Sequence, residues 1–251
     1  MKRFERLDDI RGITLLSMIL FHAVWDLVYI FDVNWSWFYT DMAFLWQQSI
    51  CWTFIILSGF CWSLGRRKLR RAFIVFGAGA LISLVTEIFM PAQRIRFGIL
   101  TFLGVAALML ILLEKLLKKI VPWQGFAFSC LAFVLLYGLN DGYIGIFRFA
   151  KLYRLPGGVY QLGDFGTFLG FTESSFYSSD YFSLIPWIFL YLAGYFLYGM
   201  GMKRDGLAAL AEKKSWGRFW NILGKKSLWI YMFHQPVVYG VLWALDKLQV
   251  I

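Results

Sequence analysis

Charged residues, proline and cysteine are all scarce in this chain. Only 16% of its 251 residues are charged and 5 are proline, whereas 60% are hydrophobic. A composition this apolar excludes a disordered segment and argues against an ordinary soluble domain. The three cysteines, Cys51, Cys61 and Cys130, lie in apolar runs without CxxC spacing or a nearby histidine. We therefore expect neither a disulfide framework nor a metal site.

Nucleotide-binding and hydrolase motifs are also missing. The chain has no P-loop, GxGxxG, HExxH or GxSxG pattern, which argues against an ATPase, a dinucleotide enzyme, a zinc protease and an α/β-hydrolase. The formal net charge of +10 would suggest nucleic acid in a soluble protein. Here the basic residues form short clusters between long apolar runs, so we predict no nucleic-acid partner.

Long apolar runs are what the chain has instead. A helix that spans a bilayer needs roughly 20 mainly apolar residues. Runs of this kind occupy residues 10–31, 42–64, 72–90, 97–117, 121–139, 181–201 and 226–245. The region 140–179, rich in glycine, serine and aromatic residues, could add a short re-entrant or interfacial helix at 142–150. The sequence predicts an all-α polytopic membrane protein, with about seven to eight transmembrane helices in one bundle and one domain, 1–251.

Basic residues indicate how these helices are oriented. Clusters of lysine and arginine occur within residues 2–11, 66–71, 115–119 and 203–226. The positive-inside rule places all four clusters on the cytoplasmic side, so we predict a cytoplasmic N-terminus and a multi-pass protein of the plasma (cell) membrane. Residues 206–220 mix basic and apolar side chains, which predicts a helix lying on the cytoplasmic leaflet.

Ionisable side chains inside a span are costly and therefore mark candidate functional sites. His22 lies deep in the first span, and both Arg11 and Asp26 fall on the same face of that helix. A carboxylate four residues after a histidine can orient the imidazole. His234, next to Gln235 in the last span, is the other histidine of the chain. We expect both histidines at a similar depth, where they can share one buried site.

Two further groups of charged residues are candidates for binding. Glu87 lies deep in the third span, and Arg94 and Arg96 follow at its outer end. They suit either a salt-bridged gate or a rim that binds substrate. Arg66 and Arg67 begin the second basic cluster, which could contact the phosphates of a nucleotide-like donor or could only enforce topology.

Three stretches of the chain are similar to a known family. Residues 6–12 (RLDDIRG), followed by Met18 and His22, resemble the opening R-x-x-D-x-x-R-G…M…H signature of the membrane family typified by the heparan-α-glucosaminide N-acetyltransferase catalytic domain. Residues 179–187 (SDYFSLIPW) resemble its S-x-D-Y-F-P-L-I-P-W segment, with serine in place of the first proline. Residues 223–236 (LGKKSLWIYMFHQP) resemble its final L-G-x-x-S-L-x-I-Y-x-x-H-Q-P helix.

This resemblance implies an integral membrane acyltransferase. Such a protein takes acetyl from cytoplasmic acetyl-CoA and delivers it to an acceptor, a sugar or another polar molecule, at the opposite face. By the same resemblance, Arg11 would help to hold the CoA donor and His22 would be the general base or acyl relay. Asp180 and the pair His234-Gln235 would line the site. Direct transfer and transfer through an acetyl-histidine both fit these residues.

Other functions also fit the sequence. A small-molecule transporter or flippase could use His22, Asp26 and Glu87 to relay protons or bind cargo, although the chain is short for a two-bundle carrier and lacks inverted hydropathy halves. A non-catalytic membrane subunit is a third reading. For the acyltransferase, the expected partners are membrane lipids, acetyl-CoA and an extracytoplasmic small-molecule or glycan acceptor, and a homo-oligomer is left open.

Overall fold

The computed structural model describes residues 4–203, 206 and 212–250. These residues form nine α-helices and one two-stranded sheet. The helices are α1 (Glu5–Tyr29), α2 (Asp41–Trp62), α3 (Lys68–Phe89), α4 (Ile99–Leu117), α5 (Pro122–Leu136), α6 (Gly163–Leu169), α7 (Trp187–Lys203), α8 (Arg218–Lys225) and α9 (Ser227–Lys247). The strands are β1 (Tyr143–Ile146) and β2 (Ala150–Arg154), and short 3₁₀ helices occupy Ser36–Tyr39, Pro91–Gln93, Tyr137–Asp141 and Gly157–Gln161.

Six of these helices are long and apolar enough to cross a membrane. They are α1, α2, α3, α4, α9, and α5 taken together with the 3₁₀ turn that continues it to Asp141. Each coincides with one of the apolar runs in the sequence, and the all-α polytopic membrane fold is confirmed. Helix α7 falls on the remaining run but has 17 residues, which is about 26 Å of helix and short of a full hydrocarbon core.

The residues just before α7 are not helical. The apolar run at 181–201 predicts a helix that begins six residues earlier, at 181. The N–H of Phe182 donates to the carbonyl of Phe97 at 2.9 Å. The N–H groups of Leu184 and Ile185 donate to carbonyls at the end of α6, at 2.8 and 3.0 Å. Because carbonyls from other parts of the chain accept from these N–H groups, this apolar segment does not need the hydrogen bonds of a helix.

Strands occupy the region where an interfacial helix was expected, at residues 142–150. Strands β1 and β2 pair antiparallel, with Tyr143 opposite Arg154 and Ile146 opposite Ala150. Tyr143 is buried, whereas most of β2 is exposed. The helix prediction for this stretch is wrong. Its aromatic and β-branched residues favour a strand, and the pairing with β2 supplies the hydrogen bonds that a helix would have made internally.

The chain separates into two compact units. As far as the structure describes them, the first consists of Met1–Phe54 with Arg204–Ile251, and the second of Ile55–Lys203. In the first unit α1 packs against both α8 and α9. In the second unit α3 packs against α4, and α5 packs against α7. The single domain that the sequence predicts stays a prediction.

Helices α3 and α4 bring two of the basic clusters to the same end of the second unit. The Nζ atoms of Lys68 and Lys118 both donate to Oε1 of Glu114, at 3.2 and 2.9 Å. Arg66 and Arg67 lie exposed just before α3 begins. Two clusters that are far apart in the sequence thus share one end, as the positive-inside rule predicts for cytoplasmic loops.

The surface helix predicted at residues 206–220 is only partly within the described chain. Residues 207–211 lie outside it, residues 206 and 212 are helical, and residues 213–217 are not. Helix α8 begins at Arg218 and buries Asn221 and Gly224, while Phe219 and Ile222 on its other face are exposed. Helix α8 therefore covers the last residues of the predicted stretch and extends beyond it.

Candidate active site

The two histidines of the chain meet inside the first unit. The ring centroids of His22 on α1 and His234 on α9 lie 4.9 Å apart, with the ring planes tilted by 55°. Just past the end of α1, Phe31 approaches Tyr239 on α9, with ring centroids 6.0 Å apart. Helices α1 and α9 therefore run side by side in the same direction. This geometry brings together two residues that are more than two hundred positions apart in the sequence.

A buried acid lies next to the histidine pair. The side chain of Gln235 donates from Nε2 to Oδ1 of Asp26 at 2.7 Å. Asp26 is fully buried at 0% exposure. The sequence assigned Asp26 to orienting His22, but the hydrogen bond that the structure gives this carboxylate connects α1 to α9. Asp26 and Gln235 therefore fix the register of these two helices beside the histidines.

The proton on His234 can be assigned from its hydrogen bond. Its Nδ1 atom bonds to the backbone carbonyl of Tyr231 on the preceding turn of α9. Because a carbonyl oxygen only accepts hydrogen bonds, Nδ1 is the atom that holds the proton in the neutral ring. Nε2 of His234 therefore has the lone pair. This atom is buried and has no hydrogen-bond partner among the described residues.

Three buried polar atoms on Asp26, His234 and Gln235 lack a partner among the described residues, and all three are acceptors. They are Nε2 of His234, Oδ2 of Asp26 and Oε1 of Gln235, each buried without a partner in the described part of the chain. Buried polar atoms are nearly always hydrogen-bonded, so three unpaired acceptors on residues in contact with one another indicate a place where a bound molecule supplies the partners. A molecule that complements three acceptors must bring hydroxyl or amine protons.

Packing of α1 holds His22 in place. Leu15, Met18 and Phe21 are buried in a hydrophobic cluster that also includes Phe38. The ring of Phe21 meets the His22 ring edge-on, with centroids 6.1 Å apart. Met18, which the sequence motif includes, is thus a core residue whose contacts fix the helix face on which His22 lies.

Arg11 lies nearer the start of α1. Its NH1 atom donates to Oδ1 of Asp8 at 3.2 Å, and the guanidinium is partly buried. Along the helix Arg11 is about 16 Å from His22, which is about three turns. The structure thus places a cation on the same helix as the histidine, at the end that the sequence predicts to be cytoplasmic.

An anchor that the sequence did not single out joins α1 to the chain before α8. Asp9 is fully buried at 0% exposure. Its Oδ1 atom accepts from the Ser215 hydroxyl and its Oδ2 atom from the Trp216 N–H, both at 2.7 Å. Arg6 covers the Trp216 ring at 4.4 Å. The conspicuous RLDDIRG motif was the signal: two of its residues, Arg6 and Asp9, hold this turn.

We expect Asp9→Ala to lower the free energy of unfolding by about 1–3 kcal/mol, because the hydroxyl of Ser215 and the N–H of Trp216 would lose the carboxylate that accepts from them. Thermal unfolding of purified protein in detergent measures the change. Asp246→Ala is the matched control, since Asp246 is exposed near the end of α9. Equal melting temperatures for the two variants would contradict the anchoring role.

Glycines let α1 and α8 cross in backbone contact. A Cβ atom at Gly12 would overlap the carbonyl oxygen of Trp220, and one at Gly224 would overlap the carbonyl oxygen of Asp8. Close backbone approach between helices requires small residues at the crossing. The glycines of the first and last motifs are therefore explained by one helix crossing.

Asp180, assigned to the site by resemblance, lies in the second unit at the start of α4. Its Oδ2 atom accepts from the N–H of Ile99, the first residue of that helix, at 3.2 Å. A carboxylate at this position satisfies a free N–H group and favours the helix dipole. Next to it, burial raises the pKa of the Tyr181 hydroxyl, which donates to the carbonyl of Thr167. The SDYF motif thus anchors the loops at this end of the unit.

The candidate substrate-binding arginines also lie in the second unit, each in an ion pair. Arg94 NH1 lies 3.8 Å from Glu87 Oε1, and Arg96 NH2 lies 2.6 Å from Asp164 Oδ2. All four side chains keep substantial exposure to solvent. These pairs lie near the end of α3, about 33 Å along that helix from Arg67. Of the arginines assigned to the donor, Arg66 and Arg67 therefore lie at one end of α3, and the arginines assigned to the acceptor follow its other end.

Apolar helices around a buried histidine pair, with acceptor atoms left open, define an integral membrane protein with a polar site inside its helices. The chain belongs to the family described as heparan-α-glucosaminide N-acetyltransferase, catalytic, whose model matches residues 3–236. The resemblance found in the sequence motifs is confirmed, and the chain is a membrane acetyltransferase-type domain. Neither a search of curated proteins nor a search of solved structures finds a match to it.

Proposed function

We propose that this protein moves an acetyl group from acetyl-CoA, on the cytoplasmic side of the plasma membrane, to a hydroxyl or amine of a sugar or other polar acceptor on the opposite side. The observation that carries this proposal is the contact between His22 and His234, beside three buried acceptor atoms that have no partner in the described chain. Such a site can accept the proton that the hydroxyl or amine of the acceptor must lose during the transfer. The family supports the same reaction class.

The histidine pair supplies the base. As the acceptor's oxygen or nitrogen bonds to the acetyl carbonyl carbon, its proton passes to an imidazole nitrogen. The carbon–sulfur bond then breaks, and the CoA thiolate leaves and takes up a proton. Nε2 of His234 already has its lone pair available, and the ring of His22 lies against it. General base catalysis of this kind contributes typically about 100-fold to 10,000-fold.

The charged residues of the two faces have separate proposed roles. Arg11 is a proposed contact for the phosphates of the donor, since guanidinium groups pair well with phosphate. The same chemistry makes Arg66 and Arg67 candidates for this role on their own unit. Arg94 and Arg96 would bind the acceptor, with Glu87. Their ion pairs are exposed enough for a polar molecule to replace one partner. Asp180 would act indirectly, by holding the start of α4.

Purified protein in lipid nanodiscs tests the function. We expect release of free CoA from acetyl-CoA to depend on added acceptor, with amino sugars and simple polyols as the first compounds to test. Acetylated acceptor, detected by mass spectrometry, should appear in equal amount to the released CoA.

Two results would contradict this proposal. One is an enzyme preparation that binds no CoA compound, which would favour a non-catalytic subunit. The other is proton-driven or ion-driven flux of a small molecule into liposomes in the complete absence of an acyl donor, which would favour the transporter hypothesis.

A further inference from the structure

The basic end of the second unit contains a cavity that the proposed reaction does not use. Its volume is about 580 Å³, within the range of sites that bind small molecules. It opens where α3 begins, where α4 turns into α5 and where α7 ends. Polar residues on its wall are Ser63, Lys68, Glu114, Lys118, Lys119, Tyr195 and Tyr198.

Positive charge exceeds negative charge in this cavity. Three lysines line it, and Glu114 is the one carboxylate among the lining residues. Lys68 and Lys118 share a single oxygen of that carboxylate, at 3.2 and 2.9 Å. Lys68 also lies over the Trp62 ring, 3.6 Å from its centroid. One carboxylate neutralises one lysine, so the wall retains a surplus of cations that favours an anion.

The remaining wall is apolar and continues onto the outer surface. Ile120 and Val121 line the cavity and are 42% and 40% exposed. Leu116 and Trp123, on either side of them in the sequence, are more exposed still. These residues lie at the ends of helices long enough to cross a membrane. A cationic cavity with an apolar exit at this level matches a molecule with an anionic head and a hydrocarbon tail.

We propose that this cavity binds the phosphate headgroup of an anionic membrane phospholipid, with the acyl chains leaving along Ile120 and Val121. The amines of Lys118 and Lys119 and the hydroxyl of Ser63 hold the phosphate. Arg70 and Arg71, exposed at the start of α3, add positive charge to the same end. Neither the histidine pair nor its substrates take part, so this proposal does not depend on the acetyl transfer.

Native mass spectrometry of the protein in detergent tests the site with dioctanoyl phosphatidylglycerol and dioctanoyl phosphatidylcholine. We expect the wild type to bind the first and not the second. The double variant Lys118→Gln/Lys119→Gln should bind phosphatidylglycerol roughly 25-fold more weakly, at roughly fivefold for each lysine. Glu114→Gln removes the competing carboxylate and should bind it roughly fivefold more tightly.

Lys115→Gln is the matched control, because Lys115 lies in the last turn of α4, just before Lys118 and Lys119, and is exposed but does not line the cavity. It should bind phosphatidylglycerol like the wild type. Equal weakening by Lys115→Gln and the double variant would overturn the proposal, as would equal binding of the two lipids. Tighter binding by Glu114→Gln keeps the test decisive even if the double variant folds poorly.

Competition distinguishes the sources of phosphate. Inorganic phosphate and CoA, each added at a concentration equal to that of the lipid, should leave phosphatidylglycerol binding unchanged, since neither fills the apolar exit. Displacement of the lipid by inorganic phosphate would mean a free-phosphate site. Displacement by CoA would assign the cavity to the acyl donor. Either result overturns the lipid proposal while leaving the acetyltransferase assignment standing.

Discussion

Replacing either His22 or His234 with alanine should reduce the rate of acetyl transfer by about 100-fold to 10,000-fold, the usual contribution of a general base. The rings are in contact, so the proton from the acceptor is held by the pair and not by one ring alone. We therefore expect the double variant to be no slower than the slower single variant, because residues that act as a unit give non-additive losses. Acceptor-dependent release of CoA in nanodiscs measures all three rates.

Folding must be separated from chemistry in these variants. His22→Gln and His234→Gln keep a polar side chain of similar reach and should be as inactive as the alanine variants. Ser129→Ala is a control elsewhere in the membrane region. Ser129 is buried with its hydroxyl unpaired within the described residues, so its loss should affect neither folding nor rate. Full activity in a correctly folded His22→Ala protein would end the base assignment.

Substituting Gly224 with valine should prevent the first unit from folding. A Cβ atom there would overlap the backbone oxygen of Asp8 on α1. No side-chain rotamer relieves that overlap, because the oxygen is a backbone atom and the position of the Cβ atom is fixed by the backbone. Overpacking in a tight core costs about 1–3 kcal/mol and occasionally more, and we expect this position at the upper end. Yield of monodisperse protein and its thermal unfolding measure the effect.

Gly240→Val is the matched control for this substitution. Gly240 also lies in a helix of the first unit, and a Cβ atom there would have no other atom within 4 Å. It should therefore melt close to the wild type. If Gly224→Val and Gly240→Val were equally stable, the crossing of α1 and α8 would not be the close contact that the structure shows.

These two predictions concern different residues of the same motifs. In the opening motif, Asp9 and Gly12 fasten α1 to α8, whereas His22 faces α9. In the closing motif, Gly224 belongs to the crossing and His234 belongs to the site. There is a physical reason why one motif contains both proposed catalytic residues and residues that fix the helix packing. A base is useful only if the helix that holds it cannot shift, and a shift of about 1 Å can cost about 100-fold in rate.

Most of the helices could be predicted from hydropathy, and the exceptions have physical reasons. Apolar runs of about 20 residues have no other way to satisfy their backbone in a bilayer. The segment before α7 is apolar too, yet its N–H groups find carbonyls in other loops. The hairpin at 143–154 depends on pairing between two strands. Neither outcome can be detected from the hydropathy of one segment alone.

For the candidate site, the sequence predicts which residues share a face of one helix, but it does not predict which residues of two different helices are in contact. The spacing of Arg11, His22 and Asp26 places them on one face of α1, because that follows from 3.6 residues per turn. That the hydrogen bond of Asp26 runs to Gln235 depends on how α9 lies against α1. The proton position on His234 follows from a hydrogen bond within α9, to the carbonyl of Tyr231, which the spacing in the sequence does not show.

By itself the sequence determined that this protein is embedded in a membrane and to which family it belongs, and it predicts which face the basic loops occupy, since composition, charge and motif order are properties of the chain. Only the tertiary structure showed that the two histidines share one site and that three buried acceptor atoms beside them have no partner among the described residues. It also showed that Asp9 binds the turn before α8 and that two glycines let α1 and α8 pack in backbone contact. These features require contacts between residues some two hundred positions apart, and such contacts come from packing, not from any local pattern.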